Sequence, residues 1–151
     1  MDGKPVLEVA HLRTEFRTAA GVVTAVDDIS FSVGRGQIMG LVGESGSGKS
    51  MTGYSIMRLI DAPGRIVGGS IRLNGQELLG LAPEAMRRIR GDRIAMIFQD
   101  PMMTLNPVLK IVTQMTEAVL AHHDVGMRRA REMARDAGRR HDAPAPPRSS
   151  A

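Results

Sequence analysis

The residues with the clearest chemistry form a glycine- and serine-rich stretch that matches the phosphate-binding pattern G-x-x-x-x-G-K-[ST]. Its members are Gly43, Glu44, Ser45, Gly46, Ser47, Gly48, Lys49 and Ser50. Glycines let the backbone curl, so that several N–H groups can point at one phosphate. Lys49 would supply positive charge to the β- and γ-phosphates, and the Ser50 hydroxyl would bind Mg²⁺. The pattern therefore predicts a nucleoside triphosphate site.

Two flanking segments predict the strand and the helix that would position this loop. Residues 37–42, Gln-Ile-Met-Gly-Leu-Val, form a short apolar run that predicts a buried parallel strand before the loop. Residues 51–60 contain no proline and carry apolar side chains at near-helical spacing, which predicts a helix after it. The positive end of that helix dipole would face the bound phosphates.

The remaining segments predict an α/β domain. Residues 6–12, 15–18 and 22–33 are rich in strand formers, and the turn signal at residues 19–21 predicts an antiparallel sheet. Asn74-Gly75 predicts a hairpin with a type I′ turn between residues 70–73 and 76–79.

Helices and a second buried strand are predicted further along the chain. Pro83 and Glu84 suit the first turn of a helix, and the arginines at positions 87, 88 and 90 suit its solvated last turn. Residues 93–98 predict another buried strand. Asn106-Pro107 is expected to open a helix with an apolar face, formed by Val108, Ile111, Val112, Met115 and Val119.

Composition and charge exclude several classes of protein. A chain of 151 residues is one domain in size, and the absence of cysteine excludes a disulfide scaffold and thiolate catalysis. No apolar run is long enough to span a membrane, and the N-terminus lacks the apolar core of a signal peptide. The net charge of +4 arises in residues 127–151, with seven arginines and three acids. Because the rest of the chain is balanced and aromatics are only 3% of the residues, we expect no nucleic-acid binding.

The order of these elements resembles the nucleotide-binding subunit of ABC transporters. Residues 25–31 and 40–50 are similar to that family, and the resemblance covers roughly residues 6–125. Residues 97–107, Ile-Phe-Gln-Asp-Pro-Met-Met-Thr-Leu-Asn-Pro, resemble the Q-loop segment of the oligopeptide, dipeptide and nickel importer branch. The resemblance implies an α/β fold, with an N-terminal antiparallel β subdomain and a P-loop NTPase core.

The resemblance also implies ligands, partners and residue roles. Residues 43–50 would bind ATP and Mg²⁺, and Gln99 would contact Mg²⁺ and the attacking water, because an amide both donates and accepts. Phe16 would stack on adenine, although a core aromatic is an equally open interpretation. Residues 100–110 would face transmembrane permease subunits. Paired with a second ATP-binding subunit at the cytoplasmic face of the plasma membrane, the protein would energise uptake of peptides or similar small solutes.

Three motifs of the family do not occur in this sequence: the signature Leu-Ser-Gly-Gly-Gln, a Walker B strand ending in Asp-Glu, and the switch histidine. Without them we expect weak ATP binding and negligible hydrolysis by this chain alone. Residues 1–125 are interpreted as the N-terminal portion of the domain, truncated before the signature and Walker B regions. Residues 126–151 are interpreted as a basic Ala/Arg/Pro-rich tail, disordered from about Ala134 or read out of frame.

Two other functions stay open at the level of sequence. The chain is alternatively a nucleotide-binding remnant that does not hydrolyse ATP. It is alternatively a different P-loop NTPase, in which Asp100 after the strand at residues 93–98 holds the metal ion. The neighbouring His122, His123 and Asp124 are the usual ligand types for a metal, but adjacent histidines at a helix end point in different directions, which favours a solvated surface.

Overall fold

The computed structural model describes residues 4–98 and 105–141. In this part of the chain the elements are β1 (Leu7–Thr18), β2 (Gly21–Val33), α1 (Lys49–Ile56), β3 (Gly64–Leu73), β4 (Gln76–Glu77), α2 (Pro83–Ile89), α3 (Ile111–His122) and α4 (Met127–His141). The chain divides into two compact units, residues 1–96 and residues 97–151. The first unit contains the strands with α1 and α2, and the second contains α3 and α4. A domain boundary between residues 125 and 126 stays a prediction.

The predicted antiparallel sheet is confirmed. Its strand order is β2-β1-β3-β4, and each neighbouring pair is antiparallel. Residues 19 and 20 form the turn between β1 and β2, where the Thr18 hydroxyl donates to the Gly21 carbonyl at 2.9 Å. The β3–β4 turn has φ values of 49° at Asn74 and 81° at Gly75. Positive φ at both positions is the type I′ geometry that Asn-Gly favours, so this prediction is also confirmed.

A β-bulge in β1 decides which side chains of this strand face the core. Val9 pairs with Phe31 and Leu12 with Ile29, so β1 has one residue more than β2 between these pairs. The extra residue lets Val9 and Leu12 both be buried, although strict alternation would put them on opposite faces. Alternation then resumes, and Thr14 is fully buried on the same face.

The core of the first unit joins the sheet to α1 and α2. It contains Val9, Leu12, Val26, Ile56, Ile71, Leu73, Leu78, Met86 and Ile89. Helix α1, Lys-Ser-Met-Thr-Gly-Tyr-Ser-Ile, is short and contains two serines, a threonine and a glycine. Residues of these types favour a helix only weakly, so α1 depends on packing against the sheet.

The two predicted buried strands at residues 37–42 and 93–98 are not strands in the structure. Ile38 and Val42 are 101% and 91% exposed, and Ile97 is 97% exposed. Within the second segment the described residues form one isolated bridge, between Arg90 and Ile94. A strand requires a hydrogen-bonding neighbour, and the strands of the described sheet pair only with one another. An apolar run indicates that a segment suits a sheet, but it does not supply the neighbouring strand with which the segment would pair.

In the second unit, α3 packs against α4. The prediction that Asn106-Pro107 opens the helix is wrong, because α3 begins at Ile111. The Asn106 carboxamide instead accepts from the Val108 N–H at 3.0 Å and holds a turn before the helix. The expected apolar face is largely exposed at Val108 and Ile111, while Thr116 is the buried residue of α3.

Helix α4 differs from the disorder expected from Ala134 onward. It continues to His141, and both Ala130 and Ala134 are buried. Alanine and arginine are good helix formers, and two alanines one turn apart let another helix approach closely. Residues 142–151 lie outside the described residues.

Candidate nucleotide-binding site

The glycines of the predicted phosphate-binding loop fulfil two different geometric requirements. Gly46 and Gly48 have φ values of 82° and 86°, in the left-handed region that glycine enters without strain. A Cβ atom added to Gly48 would lie 2.4 Å from the Ala25 carbonyl oxygen of β2, whereas one added to Gly46 would meet nothing within 4 Å. Gly48 thus lets the loop contact β2. At Gly46 the space beside the backbone is open.

Lys49 lies inside this loop and holds it in a curled form. Its ammonium group donates to the carbonyl oxygens of Gly43 at 2.7 Å and Glu44 at 2.6 Å, and to the Ser47 hydroxyl at 3.2 Å. An ammonium group has three protons, so all of them point into the loop. The contact with Ser47 is the longest, and a phosphate oxygen that replaces it would leave the two carbonyl contacts intact.

The N-terminus of α1 suits an anion. Gly48 is the N-cap residue and offers no side-chain cap to the first N–H groups, and the first turn carries no acidic residue. The uncapped N–H groups and the positive end of the helix dipole therefore face the loop without competition from a carboxylate. Open backbone at Gly46, the Lys49 ammonium and this helix start together fit the phosphates of a nucleotide.

Backbone and side-chain contacts hold α1 at its other end. Arg58 adopts a φ of 51°, and its N–H and that of Leu59 donate to the carbonyls of Ser55 at 3.0 Å and Tyr54 at 2.8 Å. This pair of hydrogen bonds is a Schellman cap, in which glycine usually occupies the Arg58 position. The Arg58 guanidinium donates to the carbonyls of Leu78 at 3.0 Å and Leu81 at 2.7 Å. These two bonds tie the end of α1 to the segment before α2.

Arg90 is a structural residue that the sequence interpretation missed. Arg87 and Arg88 are exposed as expected, but Arg90 is half-buried. Its guanidinium donates to the carbonyls of Met57 and Arg58, each at 2.8 Å, directly after α1. A cation at a helix C-terminus compensates the unpaired carbonyls and the negative end of the dipole. The expectation of a solvated arginine is therefore wrong at this position.

Of the other predicted site residues, Phe16 lies within the described part of the chain and Gln99 does not. Phe16 is half-buried on β1, opposite Val23 and Gly64. A Cβ atom added to Gly64 would lie 2.5 Å from the Phe16 ring, so Gly64 makes room for this side chain. The role of Phe16 in adenine stacking stays a prediction. Gln99 and Asp100 lie outside the described residues, as do residues 101–104 of the expected permease-facing segment.

The Glu77 carboxylate, which lies outside the loop, has a perturbed pKa. Burial raises the pKa of Glu77, but hydrogen bonds from the Ser70 hydroxyl and the N–H groups of Ile71 and Leu79 lower it, and Arg72 lowers it further. The net pKa lies below the ordinary value of 4.5. Glu77 therefore stabilises the β3–β4 hairpin in its ionised form.

The described residues do not form a further ligand cluster. Among them, no group of three histidine, cysteine, aspartate or glutamate side chains could hold a metal ion. His122 ends α3, and His123 follows in an extended conformation. No helix in residues 4–98 and 105–141 is both long and apolar enough to cross a membrane.

Sequence comparison gives consistent matches. Residues 26–149 match the family described as ABC transporter. The chain is 49% identical over 130 residues to a peptide import ATP-binding protein of Brucella abortus (strain 2308), covering 86% of this chain and 39% of the relative. It is 45% identical over 127 residues to the oligopeptide transport ATP-binding protein OppD of Escherichia coli (strain K12), covering 84% of this chain and 37% of OppD. The chain thus spans about two fifths of the length of these curated relatives.

Solved structures share the fold. A dimeric ATP-binding cassette in a post-hydrolysis state, bound to ADP and Pi, matches with a TM-score of 0.70 and 15% identity, over 91% of this chain and 58% of that chain. A dimeric bacterial ABC transporter cassette matches with a TM-score of 0.72 and 16% identity, over the same shares of the two chains. This likeness confirms the predicted α/β class with an N-terminal antiparallel sheet.

Proposed function

The chain belongs to the ABC transporter family, and we propose that it forms the ATP-binding portion of a subunit that energises the import of peptides or similar small solutes. The observation that carries this proposal is the loop around Lys49, where the ammonium group, an open glycine backbone and an uncapped helix start converge. The relatives named for peptide and oligopeptide import support the class of solute.

Different residues of the chain would bind different parts of the nucleotide. Residues 43–48 would surround the phosphates with N–H groups, Lys49 would pair with their charge, and Ser50 would be a ligand of Mg²⁺. Bound Mg²⁺ supplies positive charge to the β- and γ-phosphates. Gln99 would orient water beside the metal, and Phe16 would support the adenine ring.

We expect this chain to bind ATP weakly on its own. Lys49 and the Gly48–Ala25 contact hold the loop from its C-terminal side. On the N-terminal side, Ile38 and Val42 are almost fully exposed, and residues 37–42 have no strand neighbour within the described ranges. Binding must therefore order this side of the loop, and that ordering reduces the affinity. Hydrolysis needs groups from the signature and Walker B motifs, which this sequence does not contain.

The surface before α3 suits the proposed permease partner. Leu105, Val108 and Leu109 are 49%, 88% and 44% exposed, which is a high density of exposed apolar side chains for five residues of chain. A cavity of about 430 Å³ between α3 and α4 has Lys110, Arg131 and Arg135 in its lining. Residues 100–110 would bind transmembrane permease subunits here and place the protein at the cytoplasmic face of the membrane. The dimeric cassettes of the same fold support pairing with a second ATP-binding subunit.

Titration of the purified chain with Mg-ATP tests the proposal. Replacing Lys49 with alanine removes a charged partner of the phosphates, and bonds of this kind contribute about 1.5–3 kcal/mol, or about 10- to 100-fold in affinity. Lys4→Ala removes an exposed lysine outside the loop and should leave the affinity unchanged. Equal affinity of the Lys49→Ala and Lys4→Ala variants for Mg-ATP would contradict the proposed site. In the same samples we expect no phosphate release, and Lys49-dependent turnover would contradict the expected lack of hydrolysis.

A further inference from the structure

Thr14 of β1 and Ser55 of α1 form a hydrogen-bonded hydroxyl pair in the core of the first unit. Both residues are fully buried, and their hydroxyl oxygens are 2.8 Å apart. The Ser55 hydroxyl donates its single proton to the Met51 carbonyl at 2.7 Å. Thr14 must therefore be the donor to Ser55, so the bonds run in one direction from β1 into α1.

Packing alone does not explain these two hydroxyl groups. The hydrophobic core of the first unit includes Val26, which pairs with Thr14, and Ile56, which follows Ser55. Valine has nearly the shape of threonine and would fill the position on β1 without a buried polar group. A hydrogen bond differs from an apolar contact because it fixes distance and direction. The pair therefore defines where α1 lies on β1 more sharply than apolar packing would.

The position of the pair connects the two halves of the proposed nucleotide site. Thr14 lies two residues before Phe16 on β1, and both side chains lie on the same face of the strand by its alternation. Ser55 lies six residues after Lys49 in α1. We propose that Thr14 and Ser55 are positioning residues, which set the distance between the adenine-binding strand and the phosphate-binding loop. This inference rests on the proposed function.

A second contact makes the arrangement specific. Gly48 touches the Ala25 carbonyl of β2, and the neighbouring Val26 pairs with Thr14. Arg58 and Arg90 hold the C-terminal end of α1, so Ser55 is the anchor that fixes the body of the helix to β1. Loss of the Ser55 anchor should thus let the body of α1 move away from β1, while the loop keeps its internal bonds to Lys49.

Two ligands of different extent distinguish a positioning role of the hydroxyl pair from a role in the stability of the fold. Mg-ATP would contact both the strand and the loop, whereas inorganic tripolyphosphate with Mg²⁺ would contact the loop alone. Removal of the hydroxyl in Thr14→Val should raise the Kd of Mg-ATP about 5- to 10-fold, because the two subsites lose their alignment. The Kd of Mg-tripolyphosphate should change less than about twofold, because the loop keeps its own contacts.

Titrations of the full chain followed by two-dimensional NMR would measure both affinities and verify the fold of each variant. Thr14→Ser is the matched control, since it keeps the hydroxyl and should keep the ratio of the two Kd values. The double variant Thr14→Val/Ser55→Ala removes both hydroxyls and leaves no buried polar group unpaired, so it keeps the test available if Thr14→Val does not fold. It should show the same selective loss for Mg-ATP.

The possible outcomes are distinct. A selective loss for Mg-ATP that Thr14→Ser does not show supports the positioning role. Equal losses for both ligands would mean that the pair only maintains the fold, and unchanged affinities would mean that it has no role in binding; either result overturns the inference alone. Failure of the unmodified chain to bind either ligand would overturn the proposed function as well.

Discussion

Substitution of Gly48 by alanine tests whether the phosphate-binding loop is held against β2 by a backbone contact. A left-handed backbone with a Cβ atom is unfavourable by about 1–2 kcal/mol. At Gly48 the added atom would also lie 2.4 Å from the Ala25 carbonyl oxygen, so the loop or the strand must move. Overpacking of this kind adds about 1–3 kcal/mol. We therefore expect Gly48→Ala to lower the free energy of unfolding by about 2–5 kcal/mol, a large part of the stability of a small domain.

Two other glycines supply the controls. Gly46 has a φ of 82° and Gly36 a φ of 72°, and an added Cβ atom would meet nothing within 4 Å at either position. In both alanine variants the free energy of unfolding should fall by only about 1–2 kcal/mol, which is the cost of a left-handed backbone at a residue with a Cβ atom. Gly46→Ala lies in the proposed site and Gly36→Ala outside it, so a nucleotide titration distinguishes damage to the site from damage to the fold.

Urea unfolding followed by circular dichroism measures the difference directly. Gly48→Ala should unfold at a lower urea midpoint than both controls, with an unchanged slope of the transition. If all three alanine variants lost the same free energy within about 0.5 kcal/mol, the added Cβ atom at position 48 would not clash with the Ala25 carbonyl. The phosphate-binding loop would then not be held closely against β2.

Two further predictions concern the supports of the loop and the sheet. Arg90→Ala should lower the free energy of unfolding by about 2–3 kcal/mol, because the carbonyls of Met57 and Arg58 lose charge-assisted bonds. The exposed control Arg88→Ala should change this free energy by less than about 0.5 kcal/mol. Similar urea midpoints for the two variants would contradict the role assigned to Arg90. Glu77 has a folded-state pKa below its ordinary value of 4.5, so its contribution is present above that pH and is lost as the pH falls through the folded pKa. Glu77→Gln should accordingly weaken the fall in stability below pH 4.5. Parallel acid-unfolding curves for the parent and Glu77→Gln would contradict the assignment.

The parts of the fold that could be predicted from sequence depend on neighbouring residues. Asn74-Gly75 carries its turn geometry in two residues, and the loop at residues 43–50 carries its own glycines and lysine. In both cases the residues that require the unusual backbone conformation are also the residues that stabilise it. The hairpin of β1 and β2 is local in the same sense, since residues 19 and 20 alone separate the two strands.

The parts that could not be predicted depend on distant partners. The sequence pattern groups Arg90 with Arg87 and Arg88 and predicts one solvated helix face for all three. Its carbonyl partners lie 33 and 32 residues earlier in the chain. Thr14 gave no signal in the sequence either, because a threonine in a strand is ordinary and its partner Ser55 is 41 residues away.

The exposed segment at residues 37–42 links these observations to function. Its apolar side chains favour a sheet, yet Ile38 and Val42 remain almost fully exposed, and residues 37–42 pair with none of the described strands. The loop that follows keeps its curl because Lys49 and Gly48 act from the helix side. We therefore expect phosphate recognition and the ordering of the loop to be separable properties of this chain. A strand supplied beside residues 37–42 would add no group that contacts the phosphates, but it would raise the affinity by ordering the loop before the nucleotide arrives.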